Sequence, residues 1–181
     1  MFSEWVMIVI YWSDSLSSII PLSNLTNMKR PQIPLLVSAC LVGEAVRYDG
    51  KVLPHSGIAE LPSQGYELFA ICPEVAGGLP VPRAAAEICT VGDGSSCCCV
   101  RNSLGEDVTA QFNKGAAAAL VLATAKCVTT AILKEGSPSC GSGEVYDGSF
   151  SSRRVAGRGI TTRLLQAHGI RVLSEQALDK L

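Results

Sequence analysis

The sequence predicts an α/β domain built on a mostly parallel sheet. Three observations predict it. Four apolar runs, "PLLVSAC", "YELFAIC", "VTTAIL" and "GIRVL", show little polar alternation, as strands buried on both faces do. Helical patterns separate them, which is the signature of β-α-β units. Three of the runs also lead into loops rich in glycine or proline, each beginning with or holding a cysteine: Cys40, Cys72 and Cys140.

In chain order, the first stretch stands apart. "EWVMIVIYW", residues 4–12, is apolar but too short to cross a bilayer. Its only early charge is Glu4, whereas a secretory signal opens on positive charge. Residues 1–27 are expected to form a poorly ordered extension outside the core, translated upstream of a native start at Met28. A membrane-surface anchor is the alternative. Residues 28–181 then form a single α/β domain, since 181 residues support one full core and not two.

The first core strand ends at Cys40, and a short helix is expected between Pro54 and Gly65. The second strand ends at Cys72. Over 107–127, Val108, Phe112, Ala116, Ala119 and Ala123 fall on one face at helical spacing, with Asp107 as N-cap. The third strand opens into "KEGSPSCGSGEVYDGS", whose glycines exclude a regular helix and whose few apolar residues argue against a strand. The helix "TTRLLQAHG" stops at Gly169, and "GIRVL" is the fourth strand.

Hydrophobic content of 48% against 17% charge excludes general disorder. A net charge of -1 gives no clear nucleic-acid surface, and the Arg153, Arg154, Arg158 cluster reads as a solvated face. Eight cysteines without a credible secretory signal argue against a disulfide framework and for a cytoplasmic chain. Cys97, Cys98 and Cys99 are consecutive, so their side chains alternate between faces and make a poor joint ligand set; a connecting hairpin is expected there. Cys89 and Cys127, in apolar surroundings, read as buried structural thiols.

That leaves Cys40, Cys72 and Cys140. Strands of a parallel sheet end on one edge, where ligands of such folds bind. Three thiols far apart in sequence can therefore converge. They suit an iron–sulfur cluster with one iron left without a protein ligand, or zinc with a water; spacing does not choose between them. Glu74, two residues past Cys72 and stiffened by Pro73, is a candidate acid or base, with a salt bridge to Arg83 as the plain alternative. Ser137 and Ser139, flanking Pro138, offer hydroxyls to a cluster sulfur or a substrate atom. Arg47 and Asp49 form either a loop ion pair or part of a substrate site.

The segments "VSACLVGEAVRYDG", "CPEVAGGLPVPRAAAEI" and "AILKEGSPSCGSGEVYDGSF" resemble, in order, the motifs of a bacterial family first defined as a domain of unknown function, whose characterised members are thiouracil desulfidases. The resemblance spans residues 35–175. It implies a Rossmann-like three-layer domain holding a [4Fe-4S] cluster on Cys40, Cys72 and Cys140. It also implies a catalytic Glu74 in "CPE" and a catalytic Ser137 in "SPSC". The implied reaction removes sulfur from thiolated pyrimidines such as 2-thiouracil, giving uracil and sulfide without net redox change. Arg47, Asp49 and Ser139 are the expected substrate contacts. A zinc-dependent hydrolase and a non-catalytic iron–sulfur or sulfur-carrier protein are the competing readings. The N-terminal extension and "SSCCCVRNSLG" depart from the family pattern without touching the three motifs.

Overall fold

A computed structural model describes residues 31–90 and 98–181. The expected extension at 1–27 and Cys97 lie outside the described residues. Four parallel strands form the central sheet: β1 (Ile33–Ser38), β2 (Tyr66–Ile71), β5 (Thr130–Leu133) and β8 (Arg171–Ser174), in the spatial order β2-β1-β5-β8. All three strand pairings are parallel. These are the four apolar runs of the sequence.

Successive residues of β1 point to opposite faces, yet Leu35, Leu36 and Val37 are all fully buried. Both faces are therefore covered. Leu36 packs with Ala119, Ala123 and Leu165, from helices α3 (Thr109–Ala125) and α4 (Ile160–Ala167). Leu35 and Val37 pack on the other side with Ile58 of α1 (Ser56–Glu60) and Leu61 of the 3-10 turn that follows it. Three layers result, with helices on both faces of a parallel sheet. No helix among the described residues is long and apolar enough to cross a membrane.

The expected helix over 107–127 is shorter at both ends. Asp107 lies outside it, with Oδ1 accepting the Thr109 N–H at 2.9 Å. Cys127 lies beyond its C-terminus, with φ 52° and an exposed side chain, so the expectation of a buried thiol fails there. Ala123 and Val128 are buried, but residues 124–127 between them are exposed, and the left-handed turn directs Cys127 outward. Cys89 is half-buried on β3 (Ala86–Thr90), which pairs antiparallel with β4 (Cys98–Asn102) as the expected hairpin. The glycine-rich segment also differs from its reading as wholly irregular. Its end forms β6 (Glu144–Tyr146), paired antiparallel with β7 (Arg154–Ala156).

One short helix matters for position. α2 (Pro73–Ala76) directly follows Cys72 and lies against α3 through two glycines. A Cβ on Gly115 would stand 1.9 Å from the Pro73 carbonyl oxygen, and one on Gly77 would stand 2.1 Å from the Gln111 carbonyl oxygen. Only hydrogen at these two positions lets the backbones approach so closely.

Candidate active site

The carboxyl ends of β1, β2 and β5 open into one cavity of about 510 Å³. Cys40, Cys72 and Cys140 all line it, with Glu74, Arg83, Ser137, Lys134 and Arg47. Among the described residues no fourth cysteine lines the cavity. The convergence follows from topology, because each thiol stands just past the end of a parallel strand or in the loop that follows it.

The three thiols sit in a low-dielectric setting. Burial pushes the Cys40 thiol up to about 11, and a Cys72 thiolate adds to the rise against the pull of Arg47 and Lys134. Burial likewise raises Cys72, opposed by the Val75 N–H. Cys140, only 5% exposed, is raised by burial, with Glu74, Cys72 and Cys40 adding to the effect against a hydrogen bond with Ser38. Cys40 thus feels the charge of Cys72, and Cys140 feels both. Among the described residues, however, no three His, Cys, Asp or Glu side chains gather closely enough to hold a single metal ion.

Glu74 is held from two sides. Arg83 Nε and Nη2 both reach Glu74 Oε2 at 2.8 Å, with 7% and 14% of the arginine and glutamate side chains exposed. Arg83 also donates to the carbonyls of Val46 at 3.1 Å and Pro80 at 3.2 Å. It thereby ties the segment after β1 to the segment after β2. Ser137 Oγ donates to Glu74 Oε1 at 3.3 Å and accepts the N–H groups of Ser139 and Cys140, each at 3.1 Å. One hydroxyl therefore links the carboxylate to the turn that carries Cys140.

The remaining expected contacts divide. Arg47 lines the cavity and pairs with Asp49 at 3.1 Å. Asp49 is outside the cavity lining. Ser139 is fully buried and also outside that lining, with Oγ 2.8 Å from Thr161 Oγ1. It fastens the loop to α4.

Sequence reasoning missed three supports of the loop. Glu135 accepts the N–H groups of Ser142, Gly143 and Glu144 at 3.2, 3.1 and 2.9 Å, and the Ser142 hydroxyl at 2.8 Å. Lys134 Nζ forms a close ion pair with the buried Glu175, which also accepts the Glu135 N–H at 2.7 Å. Lys134 N–H in turn donates to Ser38 Oγ at 3.0 Å. The only sequence signal for these was "KE" at the loop's entry; Glu175 lies 41 residues away from Lys134.

A family model described as 2-thiouracil desulfurase matches residues 35–177. The uncharacterised protein YbbK of Bacillus subtilis (strain 168) is 40% identical over 151 residues, which cover 81% of this chain and 99% of YbbK. A solved structure, the [4Fe-4S]-dependent thiouracil desulfidase TudS, is 47% identical with a TM-score of 0.73, covering 83% of this chain and 95% of that one. The family model takes in every cavity residue named above, from Cys40 to Cys140, and the chain belongs to the 2-thiouracil desulfurase family.

Proposed function

We propose that this chain is a [4Fe-4S]-dependent desulfidase that hydrolyses the thiocarbonyl of thiolated pyrimidines such as 2-thiouracil. One observation carries the reading: three strand-end thiols share a cavity with a carboxylate and a hydroxyl already hydrogen-bonded to each other. Cys40, Cys72 and Cys140 are the residues that would hold the cluster. The donor set fits it. Three thiols line one cavity with no fourth cysteine among the described residues, so three protein ligands would leave one iron of a cluster free. When bound, the cluster supplies a Lewis-acidic, sulfur-seeking iron.

The chain's own residues do the rest. Glu74, fixed by Arg83, accepts a proton from water as the water oxygen bonds to the thiocarbonyl carbon. Ser137, hydrogen-bonded to Glu74, steadies the carboxylate and passes the proton on. The C–S bond breaks, the sulfur leaves as hydrogen sulfide with both protons of the water, and uracil remains. No electrons are gained or lost. Arg47 and Lys134 place positive charge at the cavity wall, where thiolates and departing sulfide are negative. Free thiols of this kind belong in the reducing cytoplasm.

The test is anaerobic reconstitution followed by incubation with 2-thiouracil. Equal amounts of uracil and sulfide are expected. A fully reconstituted protein that releases neither would overturn the reading.

A further inference from the structure

The hairpin of β6 and β7 carries an unexplained feature at its tip. Phe150 adopts φ 57° and Ser152 φ 63°, a left-handed conformation that a bulky side chain rarely accepts. Core packing does not account for it. The Phe150 side chain is 40% exposed and belongs to none of the three core clusters. What holds the backbone there is Glu87 on β3, in a different sheet. Its carboxylate is buried, at 7% exposure, and Oε2 accepts the N–H groups of Gly148 at 2.9 Å and Phe150 at 3.0 Å. Gly148, at φ 88°, lies so close to β3 that a Cβ would stand 2.8 Å from the Ile88 carbonyl oxygen. A buried charge thus stabilises a strained turn whose apolar side chain faces outward.

That side chain borders the same cavity as Cys40, Cys72 and Cys140. Tyr146, on the same hairpin, borders it too, with the Arg154 guanidinium 5.4 Å from its ring centre. The sheet edge therefore supplies thiols and carboxylate, and the hairpin supplies aromatic surface. An aromatic ring beside a polar reaction centre suits a flat heterocycle, which gains from stacking on its face while its polar edge is turned to the chemistry.

We propose that Phe150 is the stacking wall for the substrate's pyrimidine ring, and that Glu87 is the positioning residue that holds it at the cavity. This rests on the desulfidase reading and adds a determinant of specificity to it. The wall selects planar heterocyclic thiocarbonyls by binding them, and takes no part in bond breaking.

The experiment uses reconstituted holoenzyme under anaerobic conditions, with 2-thiouracil as the probe in both equilibrium binding and turnover. Phe150→Leu keeps an apolar side chain but removes the flat face. Its Kd and KM should rise about tenfold, within the range of stacking contributions, with kcat within about twofold and the cluster spectrum unchanged. Phe150→Tyr should restore both constants. Glu87→Gln keeps an oxygen for the two N–H groups and should bind as the wild type does. Glu87→Ala should raise KM as Phe150→Leu does, again without loss of kcat. Wild-type Kd and KM in Phe150→Leu overturn the wall, as does a fall in kcat with KM unchanged. A folded Glu87→Ala protein with wild-type KM removes Glu87 from its role. Wild-type holoenzyme that neither binds nor converts 2-thiouracil overturns the desulfidase reading itself, a result distinct from turnover that is merely indifferent to Phe150.

Discussion

Replacing Gly115 by alanine adds one methyl group, on α3, far from the reacting atoms in sequence. In an isolated helix this change is favourable by about 1 kcal/mol. Here the new Cβ would stand 1.9 Å from the Pro73 carbonyl oxygen, where ordinary contact begins at 3.4 Å. The obstacle is backbone, which cannot rotate aside as a side chain can. α2 must retreat by about 1.5 Å to restore contact distance. Overpacking of this kind costs about 1–3 kcal/mol, and more where no rotamer relieves it, so it outweighs the gain in propensity. With the cost at the upper end, about 3 kcal/mol, the net loss is about 2 kcal/mol, which lowers Tm by several degrees in a domain of this size. The larger consequence is catalytic. Pro73 is flanked by Cys72 and Glu74, and both move with it. A displacement of about 1 Å at a reacting group costs about a hundredfold in rate. The assay measures Tm by circular dichroism, cluster content by visible absorbance, and kcat/KM for 2-thiouracil on the same preparation. Unchanged Tm together with unchanged kcat/KM would show that α2 does not rest on Gly115, and the reasoning would fail.

Four further outcomes are expected. Glu74→Gln should retain the cluster spectrum but lose about a hundredfold to ten-thousandfold in turnover, and near-normal turnover would remove Glu74 as the base. Serine at Cys40, Cys72 or Cys140 should abolish or cripple iron incorporation, whereas Cys99→Ser should not; iron and sulfide analysis decides it. Glu175→Gln leaves the Lys134 ammonium without its carboxylate and should cost about 2 kcal/mol, less than a fully buried pair because 24% of the lysine side chain is exposed, read as a fall in Tm. Burial pushes the Glu135 carboxyl up, but hydrogen bonds from Glu144, Ser142, Gly143 and Gly136 outweigh it and hold it below the ordinary value of 4.5. Its stabilising contribution is therefore complete above pH 4.5 and is lost as pH falls below that towards the depressed value. Glu135→Gln should flatten this acid limb in Tm against pH, and an unaltered limb would count against it.

The sheet was legible because buried parallel strands leave long apolar runs, and β1, β2, β5 and β8 are such runs. Convergence of Cys40, Cys72 and Cys140 was legible for the same reason, since parallel strands share an edge. The hairpin of β6 and β7 was not. Its strands are three residues long, and Glu144–Tyr146 has only Val145 buried, too little for a period to show. The Cys127 thiol was misplaced because apolar neighbours report the burial of a segment and not the direction of one side chain at a helix end. The roles of Glu87, Glu135 and Glu175 were invisible for a different reason. A carboxylate that accepts backbone N–H groups answers to main-chain geometry, which no residue pattern records. Arg83 was visible as a partner of Glu74, but its bonds to the Val46 and Pro80 carbonyls were not.

The Glu135 carboxylate has a consequence for the life history of the protein. It gathers the backbone around Cys140 by bonds that involve no cysteine at all. The shape of the turn is therefore written in oxygen and nitrogen, and not in sulfur and iron. In a zinc finger the metal creates the fold, and its loss is unfolding. Here a cluster destroyed by oxygen would leave behind a receptacle that still has its form. Rebuilding the cluster would then begin from a turn that Glu135 already holds in place.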